Sequence, residues 1–141
     1  ALSLYEMREI LEIGAIEKVI ANLTPENVEK LERQKLLYEE AIADNLTRER
    51  FVLDQEFHVG ILEIAGNKYL PTYFREVYQR IFLRHRVESL RPGRAVSVVE
   101  EHRLLLQAII DKDSTRAKQL ISGHIAAGKA YVFSAIFKDA V

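Results

Sequence analysis

No cysteine occurs among the 141 residues. That excludes disulfides, thiolate metal sites and cysteine nucleophiles. It fits a reducing compartment, and the cytoplasm is the expected location. Nor is there an excess of positive charge. Twenty Lys and Arg stand against 21 Asp and Glu, giving a net charge of −1 with His neutral. A free-standing nucleic-acid binder usually carries a basic field, so this chain is not expected to grip DNA by itself. No apolar run approaches the ~20 residues of a membrane span. The N-terminus has no basic stretch leading into an apolar one, so no signal peptide is read there. Strand alternation is missing as well: no segment fits a period of two better than the helical period.

What is present reads as helix from end to end. Hydrophobic residues make up 48% of the chain, ordinary for a folded domain, and residues 1–141 suffice for one domain with a full core. The first helix is expected over about 3–21, with Leu4, Leu11, Ala15 and Val19 on one stripe. Thr24 caps a second helix, Pro25 suits its first position, and it should run to about Asp44. Thr47 caps a third over roughly 48–65, ended by Gly66-Asn67, two residues that tolerate a left-handed backbone. A fourth is expected from Pro71 to Glu88, a loop over Ser89–Gly93, and a fifth helix from 94 to Ile110. Asp113 then caps a last helix reaching about Phe137. Short connections between such helices imply an all-α antiparallel bundle of six to seven helices.

Four polar residues interrupt the apolar stripes of that bundle. The third helix reads Phe51, Asp54, His58, Ile61, Ala65 along its inward face. The fifth reads Ala95, Val98, His102, Leu105, Ile109, and the sixth Ala117, Ile121, His124, Gly128, Tyr131. Each histidine stands where a Leu or Ile belongs. Asp54 and His58, four apart, share one helical face. A single buried imidazole is ordinarily satisfied by a local partner. Three imidazoles and a carboxylate at matched depth are satisfied together by a divalent metal. Zinc, nickel, manganese and iron all suit these donors, with zinc the first expectation. One carboxylate and one dication leave a site charge close to +1, which attracts an anion. His85, between Arg84 and Arg86, is read as a non-ligand.

Arg8 lies on a largely apolar face of the first helix. A local pair with Glu12, four residues on, would account for it. The functional reading is a guanidinium turned into the bundle to hold a carboxylate by its fork. Arg84 and Arg86 are weaker candidates of the same kind, since cations also favour a helix C-terminus. Asn67 is explained by helix capping, with a ligand contact the minority reading. Tyr5, Tyr69, Tyr73, Tyr78 and Tyr131 are candidate pocket hydroxyls.

These residues carry a resemblance. Tyr5-Glu6-Met7-Arg8-Glu9-Ile10-Leu11-Glu12 resembles the opening helix of the FCD effector domain of GntR-family transcription regulators. Asp54-Gln55-Glu56-Phe57-His58, followed by Gly66-Asn67-Lys68-Tyr69-Leu70, resembles that family's D-x-x-F-H … G-N-x-x-L signature. Glu101-His102-Arg103 with Ala108-Ile109 and Asp113 is similar to its E-H … A-I … D segment, and His124 falls at its final histidine. The match covers nearly the whole chain, and the ordered set of four pieces makes it specific. It implies a metal held by Asp54, His58, His102 and His124, and a small organic acid bound beside it with Arg8 on the carboxylate. It implies a homodimer, and a winged helix-turn-helix DNA-binding domain that normally precedes this one and is absent from this chain. Beginning at Ala1, the chain is expected to be a fragment or a processed product.

Two other readings compete with a regulatory domain. One is a metal-dependent hydrolase, since open metal positions can activate water. Against it, no free acid or base is evident beside the ligands: Glu101 is expected to point about 100° away from His102, and Glu56 also faces elsewhere. There is no H-E-x-x-H pair. The other is an interaction module in which the metal serves stability alone.

Overall fold

The capping residues set the helix boundaries. Thr24 accepts from the Asn27 backbone N–H at 3.1 Å, and the Asn27 side chain takes the Thr24 N–H in return, also at 3.1 Å. This reciprocal box separates α1 (Leu2–Asn22) from α2 (Pro25–Ala43). Asn45, at φ 59°, turns the chain into α3 (Thr47–Ile64). Gly66, at φ 82°, ends the turn after α3, and Asn22 at the end of α1 donates to the Ile64 and Ala65 carbonyls there. The computed structural model describes residues 2–45, 47–85 and 92–139, with side chains in those spans except at 47, 82–85, 92, 132 and 134–139.

α4 (Tyr69–His85) starts two residues before the expected Pro71. The Asn67 side chain accepts from the Tyr69 N–H at 3.0 Å and so starts the helix earlier. Pro71 then falls in the first turn, where its missing N–H has no intrahelical partner to lose. α5 (Pro92–Ile110) likewise begins at the proline rather than at 94. Lys112, at φ 56°, makes the tight turn into α6 (Ser114–Asp139). Asp113 caps that helix by accepting from the Arg116 N–H at 3.1 Å.

The fold is all-α, with six helices and no strand among the described residues. No described helix is long and apolar enough to cross a membrane. α1 is the hub: it packs on α3, α4 and α6 and touches α5. α2 covers α3 and α5 instead of folding back on α1. The core between them is built from Ile16, Val19, Leu31, Phe57, Leu62, Phe74, Leu106 and Ile109, all essentially inaccessible. Each such side chain contributes roughly 1.5–3 kcal/mol by leaving water. This wall of apolar packing fixes the rotation of α3, α5 and α6, and therefore where their polar residues point.

Candidate metal centre

α3, α5 and α6 turn Asp54, His58, His102 and His124 toward one point. Each offers a ligand atom, and these atoms lie within 4.8 Å of one another. The three histidines are buried at 1%, 1% and 7% exposure. Their rings pack as a cluster, with His58 stacked on His124 at 5.1 Å between centroids. Phe57 lies 4.3 Å and Tyr38 4.8 Å from the His102 ring, which walls off one flank with aromatic surface.

The outer nitrogens show which way the imidazoles face. His58 Nδ1 donates to Glu12 Oε1 at 2.5 Å, and His124 Nδ1 donates to Glu101 Oε1 at 2.5 Å. Both rings are thereby oriented with Nε2 inward, as when a carboxylate backs a ligating histidine. Asp54 is held the same way: Tyr78 donates to its Oδ2 at 2.6 Å. Its other oxygen, Oδ1, is buried without a hydrogen bond, and so is His102 Nε2. These two atoms approach to 2.9 Å but lack hydrogen-bond geometry. Burying such groups unsatisfied is costly, and a cation between them removes the cost. The donor set fits a divalent transition metal.

Electrostatics separate the three histidines. Burial lowers the His124 pKa to about 4 and also lowers that of His102, so both are neutral. Burial acts the same way on His58, but the Glu12 and Asp54 carboxylates outweigh it and raise its pKa to about 9. Burial alone would raise the Asp54 carboxyl; the His58 charge, with the His58 and His102 ring nitrogens close to Oδ1, holds it well below the usual range instead.

Beside the ligands lies a cavity of about 90 Å³. Arg8, Arg50 and Arg94 line it, together with Tyr5, Tyr38, Tyr78 and Tyr131. Arg8 makes the local pair that its spacing suggested, and it is turned into the bundle. Its Nε pairs with Glu12 at 2.8 Å, and its Nη2 lies 3.4 Å from His58 Nε2, the nitrogen that faces the cluster.

Other expected residues lie elsewhere. Asn67 is exposed and caps α4, apart from this cavity. Tyr69 and Tyr73 are exposed at 59% and 55%. The side chains of Arg84 and His85, and all of Arg86, lie outside the described residues.

Two carboxylates lie closer to the ligands than the sequence suggested, though neither is free. Carboxylates do stand beside the ligands: Glu101 reaches His124 because α6 packs on exactly the flank of α5 that carries it. Glu12 was read only as a partner for Arg8, yet it also holds His58. Neither is a free acid or base, since each is engaged by an imidazole and an arginine. Glu56 faces away as expected and pairs with Arg75 at 3.2 Å. A sequence signal for Glu12 existed: it continues the inward face of Tyr5 and Arg8 at helical spacing. Arg50 and Arg94 carried a similar signal, one turn before Asp54 and two turns before His102.

Solved proteins share this helical bundle. The structure aligns with E. coli McbR/YncC at a TM-score of 0.86 and 18% identity, covering 95% of this chain and 64% of that one. It aligns with Streptococcus agalactiae GntR at 0.78 and 24% identity, covering 92% and 57%. At these identities the likeness shows the fold. The FCD domain family matches residues 3–127, and the chain belongs to that family, the effector domain of GntR-type transcription regulators. A curated relative, the uncharacterized HTH-type transcriptional regulator YdhC of Bacillus subtilis, is 27% identical over 122 residues. That alignment takes in 86% of this chain and 54% of YdhC, so the chain spans about half the length of this relative.

Proposed function

We propose that this domain senses a small organic acid for a GntR-type transcription regulator, using a divalent metal held by Asp54, His58, His102 and His124. The observation that carries the reading is the pair of orphaned atoms, Asp54 Oδ1 and His102 Nε2, 2.9 Å apart and buried without a hydrogen bond. Zinc is the first expectation, with nickel, manganese and iron also suited. When bound, the metal supplies a positive Lewis-acid centre for an oxygen anion. Arg8 brings a guanidinium to the same spot, 3.4 Å from His58 Nε2. Two neighbouring positive centres favour a carboxylate that lies between them. The tyrosine hydroxyls of the lining select among such anions by hydrogen bonding.

The domain does not act as an enzyme in this reading. Glu12 and Glu101, the carboxylates beside the cluster, serve to hold imidazoles. The effector biases a two-state equilibrium instead. It must bind one arrangement better than the other, because equal affinity shifts nothing. α1 is the natural lever, since Arg8 and Glu12 tie it to the cluster and it packs on three other helices. A winged helix-turn-helix domain joined to this one in a cytoplasmic homodimer would turn that bias into altered spacing of two recognition helices on DNA.

The test is metal analysis of the untagged protein beside a His58→Ala, His102→Ala double variant. One equivalent of transition metal in the parent, lost in the variant, followed by a thermal shift with small carboxylates, supports the reading. A parent that takes up no zinc, nickel or manganese sinks it.

A further inference from the structure

The two carboxylates that back the cluster are held to different degrees. Glu12 is sealed in the core between Arg8 and His58, its side chain 4% exposed. Glu101 is not sealed: its side chain is 26% exposed on the flank of α5. A carboxylate with that much access to water can exchange a neutral partner for water at little net cost. Its long side chain also gains rotamer freedom by letting go. Yet Glu101 Oε1 takes the proton of His124 Nδ1 at 2.5 Å. His124 is the one cluster residue that α6 supplies, so this contact sets which way the α6 imidazole faces.

Arg94 supplies the restraint that burial does not. It stands seven residues before Glu101 on α5, two helical turns back on the same face. Its Nη1 donates to Glu101 Oε2 at 2.7 Å, which leaves Oε1 for His124. The Arg94 side chain is only 10% exposed, so water screens this pair less than an ordinary surface ion pair. Gly128, one turn after His124 on α6, keeps room for the guanidinium. A Cβ built at Gly128 would stand 3.6 Å from Arg94 Nη2, an ordinary contact, and a branched side chain would crowd it.

Charge and geometry make opposite demands here. By charge, a guanidinium repels a dication and draws electron density from Glu101, so removing Arg94 would tighten metal binding. By geometry, Arg94 fixes Glu101 and Glu101 fixes the ring, so removing Arg94 would loosen it. Glu101 at 2.7 Å cancels most of the guanidinium charge, and the field of such a pair falls off faster than that of a lone ion. The geometric effect is therefore the larger. We infer that Arg94 is a positioning residue of the metal centre: it clamps Glu101, which keeps His124 turned with Nε2 inward, and Gly128 provides the space that the clamp needs. The inference rests on the proposed function, because it takes the four-ligand metal site as given. It adds a residue that acts on His124 through Glu101.

The experiment measures zinc affinity by competition with a chromophoric chelator at fixed ionic strength. The parent is compared with Arg94→Gln, Glu101→Gln and the double variant, beside the visible absorption spectra of the cobalt-loaded forms. Glu101→Gln should weaken zinc by roughly 10–100-fold, the usual cost of losing a backing group, and Arg94→Gln by about three- to tenfold. The double variant should stay within about twofold of Glu101→Gln alone, because members of one network are not additive. The cobalt spectrum of Arg94→Gln should shift toward that of Glu101→Gln. Zinc affinity in Arg94→Gln equal to or above that of the parent overturns the inference and leaves the proposed function standing. Losses that multiply in the double variant also overturn it, since Arg94 would then act independently of Glu101. If Arg94→Gln does not fold, Gly128→Val carries the test, with every charge kept and a stiff branched side chain against the guanidinium. Parent affinity with a parent cobalt spectrum in that variant overturns the inference. A parent that takes up no zinc overturns both readings.

Discussion

Glu12 binds His58 and Arg8 at once: Oε1 lies 2.5 Å from His58 Nδ1, and Oε2 lies 2.8 Å from Arg8 Nε. The carboxylate is 3% exposed. Burial works against its charge, but Arg8 and His58 outweigh that and lower its pKa to about 2. It is therefore ionised at any ordinary pH and holds an arginine and a histidine of different helices in one arrangement.

Replacing Glu12 with Gln keeps the shape and removes the charge. His58 then loses the partner that orients its ring and strengthens its inward nitrogen. Zinc affinity should fall by roughly 10–100-fold, the usual cost of losing such a backing group. Competition against a chromophoric chelator measures this. Affinity within twofold of the parent would mean that the contact does not tune the cluster.

Arg8→Ala separates effector binding from metal binding. It removes a charged hydrogen-bonding fork worth about 1.5–3 kcal/mol, so affinity for a small carboxylate should fall by roughly 10–150-fold. Glu12 keeps its bond to His58, so metal content should stay near that of the parent. Unchanged carboxylate affinity in a metal-replete Arg8→Ala protein would remove Arg8 from the effector site.

Metal loading should depend on pH with a definite sign. The His58 pKa is raised to about 9 before metal enters, because the Glu12 and Asp54 carboxylates outweigh burial. Ligation needs the neutral ring, so loading expels that proton. Protons therefore compete with metal below about pH 9, and affinity should climb about tenfold per pH unit between pH 7 and 8.5. Calorimetry in two buffers of different ionisation enthalpy should count close to one proton released. A flat affinity across that range with no proton released would contradict His58 as a ligand.

Gly66→Ala tests the backbone at the α3–α4 turn. Gly66 sits at φ 82°, and an added Cβ would come no closer than 3.5 Å to Asn22 Nδ2. No clash arises, so the cost is the left-handed conformation alone, about 1–2 kcal/mol. Urea unfolding at constant metal load should show that loss with an unchanged slope. A loss beyond ~3 kcal/mol would mean that the turn carries more than local strain.

Much of this protein was legible in its sequence because the signals were local. Thr24-Pro25, Gly66 and Asp113 place the helix breaks through capping and left-handed turns, which depend only on near neighbours. Asp54, His58, His102 and His124 stood out because each interrupts an apolar row whose inward direction the helical period already sets. Position on a single helix was enough to say that all four face inward.

Tertiary structure decided the rest, because it turns on which helix flanks which. Glu101 points about 100° from His102 around α5, as helical geometry requires, yet it reaches His124 since α6 packs on that flank. Arg94, Arg50 and Tyr38 join the cavity because α2, α3 and α5 pack together, while Asn67 stays at the surface as a cap. The sequence determined a helical bundle with an inward polar quartet, since periodicity records the face of each helix. Only the packed structure could supply the carboxylates and arginines around that quartet, since a pairing between helices is a distance across the core and leaves no fixed spacing along the chain.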